Sequence, residues 1–292
     1  MKIEVVILLY NRLEHTKRIL QSIINNHITE ITAYLDYPKT DQDQIIQKKI
    51  KKFLEDRKNI KIHLIERTKS YGLARSVVSA INETFKKGFD GVILLEDDCI
   101  LREGAKDFFF DGLKNLKDKK KIRSLCGYNL LGKKAIIDPD ADLLLMNRFL
   151  TWGWATWKDR WKEYEPSLKK IVNETRKKGI DIQNFSNDMK LLTSSKEYLS
   201  GSKNIWSISW ILTHYLTSTY TVYPPESLVY NIGFDGSGIN SIKTNAFKVK
   251  KGKKRKLHLY NWQTLTYYVE NDILINEFMN KNIEKIYPEI KK

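Results

Sequence analysis

The chain has 292 residues, with 51 Lys and Arg against 35 Asp and Glu, a formal net charge of +16 and 41% hydrophobic residues. That length suits one large or two modest domains, and the basic excess favours anionic partners: phosphorylated substrates, an anionic membrane surface or nucleic acid. No apolar run reaches the roughly 18 to 20 residues of a membrane span, the apolar part of the N-terminus is short for a signal peptide, and Cys99 and Cys126 have no metal-ligand spacing, so a cytoplasmic protein is expected.

IEVVILL, residues 3–9, is apolar on both faces and β-branched, and predicts a central strand. NRLEHTKRILQSIINN carries an apolar stripe at Leu13, Ile19, Leu20, Ile23 and Ile24, the mark of a helix. A second strand runs through ITEITAYL to Asp36, closed by Pro38; QDQIIQKKIKKFLEDRK is an amphipathic helix, KIHLIERT a third strand, GLARSVVSAINETFKKG a helix and GVILLEDD a fourth strand. This alternation predicts right-handed βαβ units and a parallel sheet covered on both faces. Ligands bind such sheets at the carboxyl ends of the strands. That rule gathers Tyr10, Asn11, Arg12, Asp36, Arg67, Tyr71, Gly72, Glu96, Asp97 and Asp98 along one edge.

In VILLEDDCIL an apolar run ends in three acids. Adjacent carboxylates at the end of a buried strand need a positive partner, because an uncompensated buried charge costs several kcal/mol or is neutralised by a pKa shift. The partner is a metal ion, a basic side chain or water. A pair of aspartates at a strand end suits Mg²⁺ or Mn²⁺, whose remaining ligands come from water and substrate phosphates. On a nucleotide diphospho-sugar such an ion neutralises the diphosphate leaving group as a Lewis acid. Asp98, past the strand end, is the candidate ligand; Glu96 and Asp97 are placed to accept hydrogen bonds from ribose or sugar hydroxyls. Neither a P-loop nor a GxGxxG after the first strand is present.

Beyond residue 125 the alternation breaks down. Six of the seven tryptophans fall between Trp152 and Trp210, and Trp152, Trp154, Trp157 and Trp161 lie within ten residues. Four tryptophans mixed with Lys158, Asp159 and Arg160 are not expected to bury on one face, so Trp152, Trp154 and Trp206 are read as sugar-binding platforms. GFDGSG, residues 233–238, reads as a lid or turn. KVKKGKKRK, residues 248–256, is a candidate contact to an anionic membrane surface, each basic residue contributing about 1 kcal/mol there. It leads into an apolar-periodic helix, TLTYYVENDILINEFMNKNIEKI. Nucleic acid is discounted, since acids at the strand ends oppose a phosphate-binding face and no helix-turn-helix, zinc-finger or RNP pattern occurs.

VVILLYNRLEHTKRILQSI, YLDYPK, YGLARSVVSAIN and VILLEDDCIL resemble the successive blocks of GT-A fold glycosyltransferases. Glu-Asp-Asp followed by TWGWATWKDRW, WSISW and LVYNIGFDGSGIN is similar to bacterial sugar transferases related to N-acetylglucosaminyltransferase I, over roughly residues 3–241. The resemblance implies an α/β fold of GT-A type, a Rossmann-like, mostly parallel sheet flanked by helices. It divides into a nucleotide-sugar-binding half (1–128), an acceptor-binding half (129–245) and a basic, helical tail (246–292). It also implies a metal-dependent, inverting transfer of a sugar from a nucleotide-diphosphate donor, UDP favoured, to a glycan hydroxyl. Tyr10, Asn11, Arg12, Asp36, Tyr71, Gly72 and Arg75 are then expected to hold the nucleotide with Glu96 and Asp97, and Asp98 to hold Mn²⁺ or Mg²⁺.

Two departures bear on the chemistry. Ser207 stands between Trp206 and Trp210 where relatives carry an aspartate that looks like the base, and Gly238, Ile239 and Asn240 stand where relatives end in Gly-Thr-His. Serine cannot take the acceptor's proton unaided near neutral pH. Asp235 is therefore the first candidate base and Glu226 the second, with Asn240 a weaker metal ligand. The alternative is a catalytically degenerate nucleotide-sugar or glycan-binding protein. The expected setting is bacterial surface polysaccharide synthesis, with a lipid-linked glycan acceptor at the inner face of the membrane.

Overall fold

A computed structural model describes residues 1–132, 135, 142–178, 205–238, 243–245, 247–248, 260–263, 265, 267 and 270–277. The first part follows the sequence pattern closely: β1 (Ile3–Leu9), α1 (Leu13–Asn25), β2 (Glu30–Leu35), α2 (Asp41–Glu55), β3 (Lys61–Glu66), α3 (Gly72–Lys86) and β4 (Gly91–Glu96). Then come β5 (Cys99–Leu101), α4 (Ala105–Asn115), β6 (Ile122–Cys126), β7 (Leu144–Met146), β8 (Trp154–Trp157), α5 (Lys158–Trp161), α6 (Leu168–Lys177), α7 (Trp206–Leu216), β9 (Tyr220–Tyr223) and β10 (Val229–Asn231).

Eight strands form one sheet in the order β3-β2-β1-β4-β8-β6-β9-β7, and β5 pairs with β10 in a separate two-stranded ribbon. β3, β2, β1 and β4 are mutually parallel, β8 runs antiparallel between β4 and β6, β9 is parallel to β6, and β7 closes the edge antiparallel to β9. The α/β, mostly parallel architecture expected from the sequence is therefore the one observed.

The period-two alternation of β1 explains the layers. Val5, Ile7 and Leu9 enter a core shared with Ile19, Leu20 and Ile23 of α1, Ile50 and Leu54 of α2, and Phe108 and Phe109 of α4. Val6 and Leu8 face the opposite layer, with Val77 and Ile81 of α3 and Trp210 and Ile211 of α7.

The same alternation corrects the reading of the tryptophans. The pleat of β8 sends Trp157 into the first core and Trp154 into the second, where Trp161, Trp206 and Trp210 join it. Trp154 is wholly buried, Trp206 is stacked on it at 5.3 Å, and Trp206 is itself buried. Neither is an acceptor platform. The tryptophans did not need to share one face, because two faces were available.

The described part of segment 246–292 is built into the core. Trp262 is buried against Gly112 and Phe108, Ile275 is fully buried, and the Asp272 carboxylate accepts hydrogen bonds from the backbone N–H groups of Asn147 and Arg148, both at 3.1 Å. Apart from Lys248, the basic run 248–256 lies outside the described residues.

Candidate active site

β1 is flanked by β2 on one side and β4 on the other, so the chain leaves it in both directions and a crevice opens at the carboxyl ends of β1 and β4. Arg12 follows β1 and the acids follow β4. They meet: Arg12 Nε donates to Asp97 Oδ2 at 3.0 Å, Nη2 donates to Asp97 Oδ1, and Nη2 also reaches Asp98 Oδ2 at 3.1 Å. The partner that three acids required is thus a guanidinium, matched in a bidentate fork to one carboxylate and bridging to the next.

One guanidinium does not neutralise three carboxylates. Burial, reinforced by the charges of Asp98 and Asp97, pushes Glu96 up to about 8. Burial also pushes Asp97 up to about 6 even though Arg12 pulls the other way. Asp98 is buried, and among the described residues its Oδ1 is met only by Asn231 Nδ2, at a long 3.4 Å, and by the weak thiol donor Cys99 Sγ at 3.6 Å. Among the described residues no group of three or more His, Cys, Asp or Glu side chains converges to hold a metal by itself. The acids suit a hard cation taken up by one carboxylate oxygen and completed from outside the protein.

A second cluster forms at the ends of β2 and β3. Asp36 Oδ1 accepts from Tyr71 N at 2.8 Å and Tyr37 N at 2.9 Å, and Oδ2 accepts from Gly72 N at 2.8 Å. Gly72 opens α3 with φ +67, a left-handed conformation that an L side chain rarely adopts. The Tyr71 ring lies between the guanidinium groups of Arg67 and Arg75, at 4.7 and 4.1 Å. Asp36, Arg67, Tyr71 and Gly72, gathered by their strand-end positions, meet here, and Arg75, expected at the nucleotide from the resemblance, joins them.

Tyr10 and Asn11 are anchored on α2. Tyr10 OH donates to Asp43 Oδ2 at 2.8 Å and Asn11 Nδ2 to Asp43 Oδ1 at 2.6 Å. Asp43 is also the third residue of a capping box with Thr40 at the start of α2. These side chains tie the end of β1 to α2, and both residues stay half-buried at the edge of the crevice. Asp43 was the signal missed: an acid three residues after a threonine marks a cap, but nothing local says what else it holds.

The loop after β10 closes over the acids. Ile232 N donates to the Asp98 carbonyl at 2.9 Å, and a Cβ on Gly233 would lie 2.1 Å from Asp98 Oδ2, so only glycine fits there. Phe234 packs edge-on against Trp152 at 5.4 Å, which leaves half-buried Trp152 as the expected sugar platform that borders the site. Asp235 Oδ1 accepts from Ser237 N at 2.8 Å and Ser237 Oγ at 2.6 Å, while Oδ2 is 3.3 Å from His15 Nε2. Those bonds, with the charges of His15 and Arg12, outweigh slight burial and lower the Asp235 pKa. Glu226 sits in the β9–β10 turn, on the stretch where Asn129 Nδ2 bonds the Pro224 and Pro225 carbonyls, both at 2.9 Å. Ser207 lies in the first turn of α7, and Asn240 lies outside the described residues.

The sequence matches the model of the GNT-I family over residues 2–173, more than half of the chain. The chain belongs to the GNT-I family. The family-level expectation of a relative of N-acetylglucosaminyltransferase I is thereby met. The matched span of this family member includes Arg12, Asp36, Tyr71 and the acidic trio, and stops short of the Asp235 loop. Similar solved structures include a mannosyltransferase from Pyrobaculum calidifontis in complex with GDP-Man and Mn²⁺, at 15% identity and TM-score 0.39, covering 55% of this chain and 46% of that one. Another is residues 1–349 of TarS from S. aureus, at 11% identity and TM-score 0.42, covering 80% and 62%. The chain spans about half and three-fifths of those two proteins, and neither likeness is close enough to bear on function. No curated protein matches the chain. Among the described residues no helix is long and apolar enough to cross a membrane.

Proposed function

We propose that this GNT-I family member is a glycosyltransferase that moves a sugar from a nucleotide-diphosphate donor, with UDP favoured, to a hydroxyl of a glycan acceptor with inversion of configuration. The observation that carries the reading is the pairing of Arg12 with Asp97 and Asp98 at the β1–β4 switch point. It concentrates charge where a parallel sheet binds its ligand, and with Glu96 holding its proton near neutral pH it leaves Asp97 and Asp98 short of positive charge by about one unit. That shortfall fits Mg²⁺ or Mn²⁺ held through Asp98 Oδ1, which no strong donor occupies. When bound, such an ion neutralises the diphosphate as it leaves.

The chain's own residues supply the rest. Arg12 fixes the carboxylates of Asp97 and Asp98 before any donor arrives, so their orientation costs nothing at the moment of reaction. Asp36 holds the N-terminus of α3 and, with it, the Tyr71 ring and Arg75 at the nucleotide end of the crevice. Asp235, ionised and half exposed on the loop that touches Asp98, takes the proton from the acceptor hydroxyl. Trp152 offers the aromatic face that borders this loop. The fit with bacterial surface polysaccharide synthesis, on a lipid-linked acceptor at an anionic membrane, is supported by the family and by the +16 charge.

Incubation with UDP-, GDP- and dTDP-sugars, with Mn²⁺ and with chelator, tests the proposal through release of nucleotide diphosphate. Release from one nucleotide class, stopped by chelator, is the expected result. No release from any donor, with or without an acceptor glycan extract, favours the binding-only alternative.

A further inference from the structure

His15 lies in the crevice, and the reaction as stated does not use it. It sits in the first turn of α1, three residues after Arg12, so the two side chains leave the same face of the helix. The residue is 8% exposed, and among the described residues its Nε2 has no hydrogen-bond partner of good geometry, an arrangement rare for a buried polar atom. What it faces is the Asp235 carboxylate, 3.3 Å away, while the Ile232 backbone lies against the same ring. Arg12, Asp235 and Asp98 are the charged groups around it.

Asp235 is held from both sides. Ser237 bonds Oδ1 through its N–H and its hydroxyl, and His15 stands at Oδ2, yet the side chain is 47% exposed. A carboxylate with both oxygens oriented and one face open to solvent is poised rather than merely structural. Besides its seat on Asp98, the loop that carries it is held by the bond from Thr244 N to the Phe234 carbonyl at 3.1 Å and by the packing of Phe234 on Trp152 and Phe247, none of these partners belonging to α1. Resting on the proposal that Asp235 is the base, we infer that His15 is a positioning residue: it pins Asp235 Oδ2, and through Ile232 the whole 232–238 loop, against α1. The turn that fixes the metal-side acids through Arg12 thereby also fixes the base, and the spacing between the two is set by one helical turn.

The test compares wild type, Asp235→Asn, His15→Ala, His15→Gln and the double variant His15→Ala/Asp235→Asn. Two readouts are taken: steady-state release of nucleotide diphosphate from the UDP-sugar that wild type turns over, and amide hydrogen exchange of residues 232–238. Loss of positioning lowers kcat in His15→Ala by about tenfold to a hundredfold while the donor KM stays within about twofold. His15→Gln, which still carries an N–H donor, recovers most of that loss. The double variant is no slower than Asp235→Asn, and exchange of the 232–238 amides quickens in His15→Ala.

A His15→Ala enzyme with unchanged kcat, or losses that multiply in the double variant, overturns the inference. Asp235→Asn at the wild-type rate overturns both this inference and the assignment of the base. If wild type turns over no nucleotide sugar, the functional reading fails alone and the exchange readout decides: unchanged exchange in His15→Ala overturns the positioning role, and faster exchange upholds it.

Discussion

The two halves of the sheet use their conspicuous residues in opposite ways. In β1 to β4 the residues that interrupt the apolar pattern, Arg12, Asp36 and the acids, lie at strand ends and meet one another across the crevice. In β6 to β9 and α7 the conspicuous residues are tryptophans, and of the six from Trp152 to Trp210 all but Trp152 are packed inside. A break in polarity at a strand end is therefore the better guide to a site than a cluster of large rings. Charge is costly to bury and must be answered locally, whereas an aromatic side chain is stabilised by burial wherever room exists.

Five substitutions probe that contrast, from the largest effect downward. Trp154→Ala empties the second core and is expected to cost about 3–5 kcal/mol in chemical denaturation, whereas Trp152→Ala costs less and acts mainly on turnover. A Trp154→Ala protein with near-normal stability and lost turnover would reverse the assignment of the two rings. Arg12→Met leaves Asp97 and Asp98 buried without their cation, at about 3 kcal/mol near neutral pH. Without Arg12, which pulls Asp97 down, that carboxyl takes up its proton above the wild-type value of about 6, so the deficit shrinks as pH falls towards about 6 and is level below it; denaturation compared at about pH 8 and about pH 6 checks this.

Asp43→Ala strands Tyr10 and Asn11 and removes the carboxylate half of the α2 capping box, leaving the Thr40 hydroxyl bond in place, for about 2 kcal/mol. Its effect on nucleotide binding is expected to be small beside that of Arg12→Met, since Asp43 supports the crevice from behind.

The smallest effect is a pH slope. His214 is fully buried, its Nε2 3.1 Å from Ser124 Oγ, and burial, with the charge of Arg123, holds its pKa well below the usual histidine range. The unfolded chain binds a proton there below about pH 6.5 while the folded chain does not, so stability falls with falling pH by at most about 1.4 kcal/mol per unit. His214→Asn should flatten that slope in melts between pH 6.5 and 5, and an unchanged slope would assign it elsewhere.

Much of the first half was legible because its signals are local. The β-branched run 3–9, the helical stripe beginning at Leu13 and the strand-end position of Asp36 each follow from neighbouring residues, and the need for a positive partner beside VILLEDDCIL follows from the cost of buried charge. That the partner is Arg12 was not legible, since it lies 85 residues from Asp97 and only the parallel pairing of β1 with β4 brings them together. The same holds for Tyr10 and Asn11 with Asp43, and for His15 with Asp235. Trp154 and Trp206 were misread because the pattern of one strand does not reveal that both faces of the sheet are covered. The i, i+3 spacing of Arg12 and His15 was the available clue to the second of that pair, and it gains meaning only once Arg12 is known to face the acids.

The most direct test of the central claim is a calorimetric titration of UDP into wild type and Asp98→Asn, each with and without Mn²⁺, with GDP and dTDP as controls. Micromolar binding of UDP that requires Mn²⁺ and is lost in the folded Asp98→Asn variant is the result expected. Binding that is equal in the two proteins, or indifferent to the metal, would contradict it and leave the acids as a structural partner for Arg12 alone.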